Sequence, residues 1–129
     1  MKINNFEDLE VWQLARDLSK TIYKYSSSSP FNKDFRFRSQ ILSSSGSIMD
    51  NIAEGFERDG NKEFIQFLSI SKGSCGETRS QSYRAFDFKY INQDQLNELL
   101  TKTKQLSNSL GGFIKYLKSS EIKGKKFKN

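Results

Sequence analysis

Apolar residues recur three and four positions apart along four separate stretches of the chain, and its one proline, Pro30, stands between the first two. A chain punctuated in this way folds most simply as amphipathic helices that turn their stripes inward against one another. Neither strand alternation nor a hairpin signal is evident, and no internal repeat is visible. At 129 residues the length suits a single domain. The predicted fold is all-α, an antiparallel up-down-up-down four-helix bundle over residues 1–118, followed by a basic, flexible tail over 119–129.

The first stretch has Asn5 as N-cap and Glu7, Asp8 and Glu10 in its first turn, where acids suit the positive end of the helix dipole. Its stripe is Val11, Leu14, Ala15, Leu18, Ile22 and Tyr25, and the run Ser26 to Pro30 ends it. The second runs from about Lys33 to Glu54, with Phe37, Ile41, Ser44, Ser45, Ile48 and Ile52 on one face and Gly55 as its stop. The third follows Asp59 and Gly60, with Asn61 as N-cap, and reaches about Lys89 through Phe64, Phe67, Leu68, Ser71, Cys75, Thr78, Ser82 and Ala85. Both middles are rich in serine and glycine, which predicts a close crossing of these two helices. In the fourth, Asn92 and Gln95 form a capping box ahead of Leu96, Leu99, Thr103, Leu106, Leu110, Phe113 and Leu117. That stripe stays in phase across Gly111 and Gly112, which predicts one continuous helix.

The chain has no histidine, hence no usual general base and no Glu-x-x-His pair for a di-iron bundle. The lone cysteine, Cys75, sits among small residues and reads as a packing group. Glu54 and Glu77 are the remaining conceivable carboxylate site, and such acids in a bundle more often serve structure. The run Gly73 to Gly76 lies inside a helical pattern and lacks the Lys-Ser/Thr of a phosphate loop. No enzyme activity, metal or cofactor is expected. No apolar run is long enough to span a bilayer, and the first residues lack a signal peptide's apolar core, so the expected location is the cytoplasm.

The net charge of +6 points to an anionic partner. Six lysines, Lys115, Lys118, Lys123, Lys125, Lys126 and Lys128, stand against the single Glu121 in the last fifteen residues, so this segment holds nearly all of the excess. It reads either as an arm for phosphates or as a solubilising end. Arg36 and Arg38 form a second candidate anion contact. Arg79 and Arg84, with Glu77 and Gln81, give the third helix a polar face that serves either solvent or a neighbouring subunit.

Several blocks resemble the four-helix-bundle proteins encoded within bacterial 23S ribosomal RNA intervening sequences. They are Phe6-x-x-Leu9-Glu10-Val11-Trp12-Gln13-Leu14-Ala15 with Ile22-Tyr23, Gln40-Ile41 with Ser47-Ile48-x-x-Asn51-Ile52-Ala53-Glu54-Gly55, and Lys62-Glu63-Phe64-x-x-Phe67-Leu68 with Lys72-Gly73-Ser74-x-x-Glu77. The resemblance implies a ring-like homo-oligomer, a pentamer, with no established enzymatic activity. It extends to the accessory variability proteins of diversity-generating retroelements, basic pentamers that bind nucleic acid and a reverse transcriptase. By that analogy the partner is RNA or DNA. The alternative is a protein-only scaffold in which Asn51, Glu54, Glu77 and Arg84 organise subunit contacts. Leu42 and Ser43 stand where the family pattern has two arginines, and Phe31-Asn32 replaces a phenylalanine-proline turn. The first change removes charge from the second helix and shifts the nucleic-acid expectation to the tail and to Arg79 and Arg84.

Overall fold

A computed structural model describes residues 3–122 of the chain. Four helices account for most of them: α1 (Glu10–Ser26), α2 (Phe35–Glu57), α3 (Asn61–Asp87) and α4 (Gln93–Ile122). The described residues contain no strand.

Pairs of touching residues give the helix directions. Between α2 and α3, Ser47 meets Ser74, Ser44 meets Thr78 and Gln40 meets Arg84. Between α3 and α4, Cys75 meets Thr103 and Phe64 meets Phe113. Between α1 and α4, Tyr25 meets Glu98 and Thr21 meets Lys102. Partner numbers fall as the first number rises in each case, so each pair runs antiparallel. Two reversals make α1 parallel to α3, a third sets α2 against both, and the bundle is up-down-up-down.

The predicted stripes form the core. Leu18, Ile41, Ile48, Ile52, Leu68, Leu106 and Leu110 are fully buried. Burying each such side chain contributes about 1.5–3 kcal/mol. The serine-rich middle of α2 is helical throughout, held by the buried Ile41, Ile48 and Ile52 on the same face, and its buried hydroxyls are satisfied by carbonyls one turn back, as where Ser45 Oγ donates to Ile41 O at 2.8 Å. Across the seam, Ser71 Oγ donates to Ile48 O at 2.9 Å and Thr78 Oγ1 to Ser44 Oγ at 3.0 Å. Small polar residues therefore produce the predicted close crossing and satisfy its buried hydroxyls.

Four boundaries differ from expectation. Asn5 caps a short 3-10 turn, Phe6–Asp8, where its N–H donates to the Asp8 carboxylate at 3.3 Å, and α1 starts beyond it. The Asp34 carboxylate caps α2 by accepting the Phe37 N–H at 3.2 Å, so that helix begins after Lys33. Gly55 does not stop α2 but lies within it, because a Cβ there would stand 2.5 Å from Phe67 Cβ and only glycine fits the crossing. Gly60, not Asn61, precedes α3, and Asn61 is its first, buried residue. The Asn92 and Gln95 box forms as predicted, each side chain accepting the other's N–H at 2.8 Å, and α4 passes through Gly111 and Gly112 unbroken.

Candidate functional site

The C-terminal turn of α1, the N-terminal turns of α2 and the C-terminal turn of α3 meet at one end of the bundle. There Phe31, Phe37 and Tyr90 pack as a ring cluster, with Phe31 stacked 5.5 Å from Phe37 and 5.1 Å from Tyr90. Tyr90 Oη donates to the Asp34 carboxylate at 2.7 Å. This bond, the Phe37 N–H and the charge of Arg84 hold the Asp34 carboxyl below its ordinary pKa, against the opposing effect of burial.

Arginines lie over rings on both flanks. The Arg84 guanidinium stands 4.7 Å from the centre of Phe37 and reaches Gln40 Oε1 at 3.5 Å. The Arg38 guanidinium stands 5.4 Å from the centre of Tyr23, held there by a 2.8 Å bond from Nε to Ser26 O. Arg36 is exposed beside them. None of these three forms an ion pair among the described residues, whereas Arg58 does so with Glu54 and Glu63. Large apolar surface is exposed at the same end: Phe35 at 80%, Tyr23 at 60% and Phe88 at 51%.

Lys89 ends α3 with φ of 64°, the left-handed conformation glycine adopts most easily. Its N–H donates to Phe86 O at 2.9 Å and the Tyr90 N–H to Ala85 O at 2.8 Å, the paired bonds of a Schellman cap. This turn sends Tyr90 into the ring cluster and leaves the Phe88 ring at its edge, 5.7 Å from Phe37.

The four proposed subunit residues string along the α2/α3 seam without clustering. Asn51 Nδ2 donates to Ser47 O at 2.8 Å, and Glu54 pairs with Arg58 at 3.0 Å. Glu77 lines a polar groove of about 370 Å³ with Ser39, Gln40, Ser43, Ser44, Ser47 and Ser74. Gln81 is not on a solvated face: it is buried, and its Oε1 accepts from Ser44 at 2.5 Å. Arg79 and Arg84 do not share a face either, since Arg84 leans toward α2 while Arg79, with Lys72, acts electrostatically on Cys75 beside α4. Lys115 and Lys118 are exposed on α4. Lys123, Lys125, Lys126 and Lys128 lie outside the described residues.

The buried chemistry is structural. Cys75 Sγ donates to Thr103 O at 3.2 Å, and burial pushes its thiol up to about 11. Tyr25 donates a short hydrogen bond to Glu98, and burial together with that bond pushes its phenol up to about 12. Lys102 joins Glu98 at 3.0 Å to Asp17 at 2.8 Å, so this network clamps α1 to α4. Among the described residues, no three His, Cys, Asp or Glu side chains are grouped to hold a metal ion. No described helix is long and apolar enough to cross a membrane. An apolar hollow of about 350 Å³ at the opposite end, between Leu9, Val11 and Phe113, is lined by few polar groups.

Comparison with known proteins places these features in context. The 23S rRNA-intervening sequence protein family matches residues 7–112. Among solved structures, a protein of unknown function from the S23 ribosomal protein family of Bacteroides thetaiotaomicron superposes with a TM-score of 0.74. It is 24% identical over 81% of this chain and 95% of its own, a likeness that establishes the fold. No curated protein matches the chain.

Proposed function

Because the chain belongs to the 23S rRNA-intervening sequence protein family, we infer that it is a non-enzymatic, homo-oligomeric RNA-binding module of the cytoplasm. The observation that carries this reading is the pair of arginines laid on aromatic rings at one end of the bundle, Arg38 on Tyr23 and Arg84 on Phe37, neither used in an ion pair. Arg38 already bonds Ser26 O and Ser27 Oγ through Nε and Nη2, and Arg84 Nη2 reaches Gln40, so the N–H groups left for phosphate oxygens are chiefly those of Nη1 on each stacked guanidinium. α2 adds to the positive potential, since its first turn carries Arg36 and Arg38 and no acid beyond the capping Asp34. Lys115 and Lys118 are exposed near the C-terminal end of α4, away from these arginines, and the tail lysines add to the net charge. By the resemblance read from the sequence, the assembly proposed is a ring of five subunits.

Fluorescence anisotropy of a labelled RNA tests the reading, with the full chain compared against Arg38→Gln/Arg84→Gln and against a chain ending at Ser119. Both changes are expected to weaken binding, each by about tenfold or more at moderate salt. Absence of RNA binding at low salt would favour the protein-only scaffold, in which the Glu77 groove along α2 and α3 is the contact between subunits. Light scattering gives the assembly, and a monomer mass would remove the ring.

A further inference from the structure

The arginines account for phosphate contacts but leave the exposed rings unexplained. A surface built only to hold a phosphate backbone has no use for Phe35 at 80% exposure, placed at the first position of α2 beside Arg36 and one turn before Arg38. Tyr23, beneath Arg38, and Phe88, against Phe37, are likewise more than half exposed at this end. Phe88 is also held in place, edge-on to both Phe37 and Tyr90 at 5.7 Å, so its outer surface is offered in one fixed position.

Two further features depart from what stability alone would select. Arg36 and Arg38 occupy the first turn of α2, where the helix dipole disfavours cations. Lys89 occupies the left-handed position where glycine is favoured, which puts a cation directly beside Phe88. One nearby carboxylate, Asp34, is occupied by Tyr90 and the Phe37 N–H, which leaves Asp87 and, in the first turn of α4, Asp94 as exposed acids against four cations. A second copy docked two-fold on this end would set arginine against arginine. A strand with negative phosphates and apolar base faces matches both parts of the surface.

We propose that this end of the bundle is a stacking platform for unpaired nucleobases, in which Phe35 and Phe88 receive base faces while Arg36, Arg38, Arg84 and Lys89 hold the adjoining phosphates. The platform rests on the RNA-binding reading above and specifies its ligand as single-stranded, because in a duplex the base faces are covered by their neighbours.

The test uses the full chain with a single-stranded RNA carrying 2-aminopurine, whose fluorescence falls on stacking, and with the same RNA annealed to its complement. The single strand should bind about tenfold tighter than the duplex at equal salt, with quenching, and Phe35→Leu/Phe88→Leu should lose the quenching and about tenfold in affinity. Phe35→Leu alone guards against misfolding, since the Phe35 ring is mostly in solvent, and it should show a smaller loss in the same direction. Equal binding of strand and duplex, or quenching unchanged in both variants, would overturn the platform while leaving RNA binding intact. Absence of all RNA binding would overturn both. A fall in assembly mass in Phe35→Leu/Phe88→Leu would assign the rings to contact between copies, and would also overturn the platform.

Discussion

At Lys89 the chain accepts a left-handed backbone on a residue with a Cβ, which is disfavoured by about 1–2 kcal/mol relative to glycine. Lys89→Gly should therefore stabilise the protein by about 1 kcal/mol, read from the urea midpoint, and weaken RNA binding through the lost cation. Asp34 gives a second single-residue prediction. Its folded pKa lies below the ordinary value, chiefly through the Tyr90 hydrogen bond, so it adds stability above the unfolded pKa and loses it as pH falls through the folded one. Tyr90→Phe removes that bond. Its deficit in melting temperature against the parent should be full near about pH 7 and should shrink toward about pH 3. A deficit independent of pH would mean that the phenol serves packing alone. Of this site the sequence made Arg36, Arg38 and Arg84 legible as cations. The rings beneath the guanidiniums were not legible, since Tyr23 and Phe37 come together with them only through helix packing, and no glycine marked Lys89 as the turn.

Element by element, the helices were readable because each carries its own stripe and stop signals, and the Asn92 and Gln95 box forms as its spacing demanded. Glycine was the ambiguous sign. Gly55 resembled a stop, yet it is a point of contact between α2 and α3, whereas Gly73 and Gly76 sit inside α3 with nothing near their missing Cβ positions. The same substitution should thus have opposite effects. Gly55→Ala should destabilise by about 1–3 kcal/mol through its clash with Phe67, and Gly76→Ala should stabilise by up to about 1 kcal/mol through helix propensity. Denaturant titration distinguishes them. A loss of stability in Gly76→Ala accompanied by a lower assembly mass would place another subunit against that open face.

The whole molecule divides its labour between a structural body and a charged end. Cys75 and the Tyr25, Glu98, Lys102 and Asp17 network are spent on packing and on clamping α1 to α4, while Arg36, Arg38 and Arg84 gather where α1, α2 and α3 meet. Charge summed along the sequence pointed to the tail and marked Arg36 and Arg38 as a second contact, and the packed helices bring Arg84 and the rings to that pair. The central claim is that this end of the bundle neutralises RNA phosphates, and its most direct measurement is the salt dependence of RNA binding in the full chain against Arg36→Gln/Arg38→Gln/Arg84→Gln. With about 0.7 lost from the slope of log affinity against log salt for each single-strand phosphate contact, the account predicts a slope shallower by about 2 in the triple variant. An unchanged slope would contradict it and leave the bundle end without a role in binding RNA.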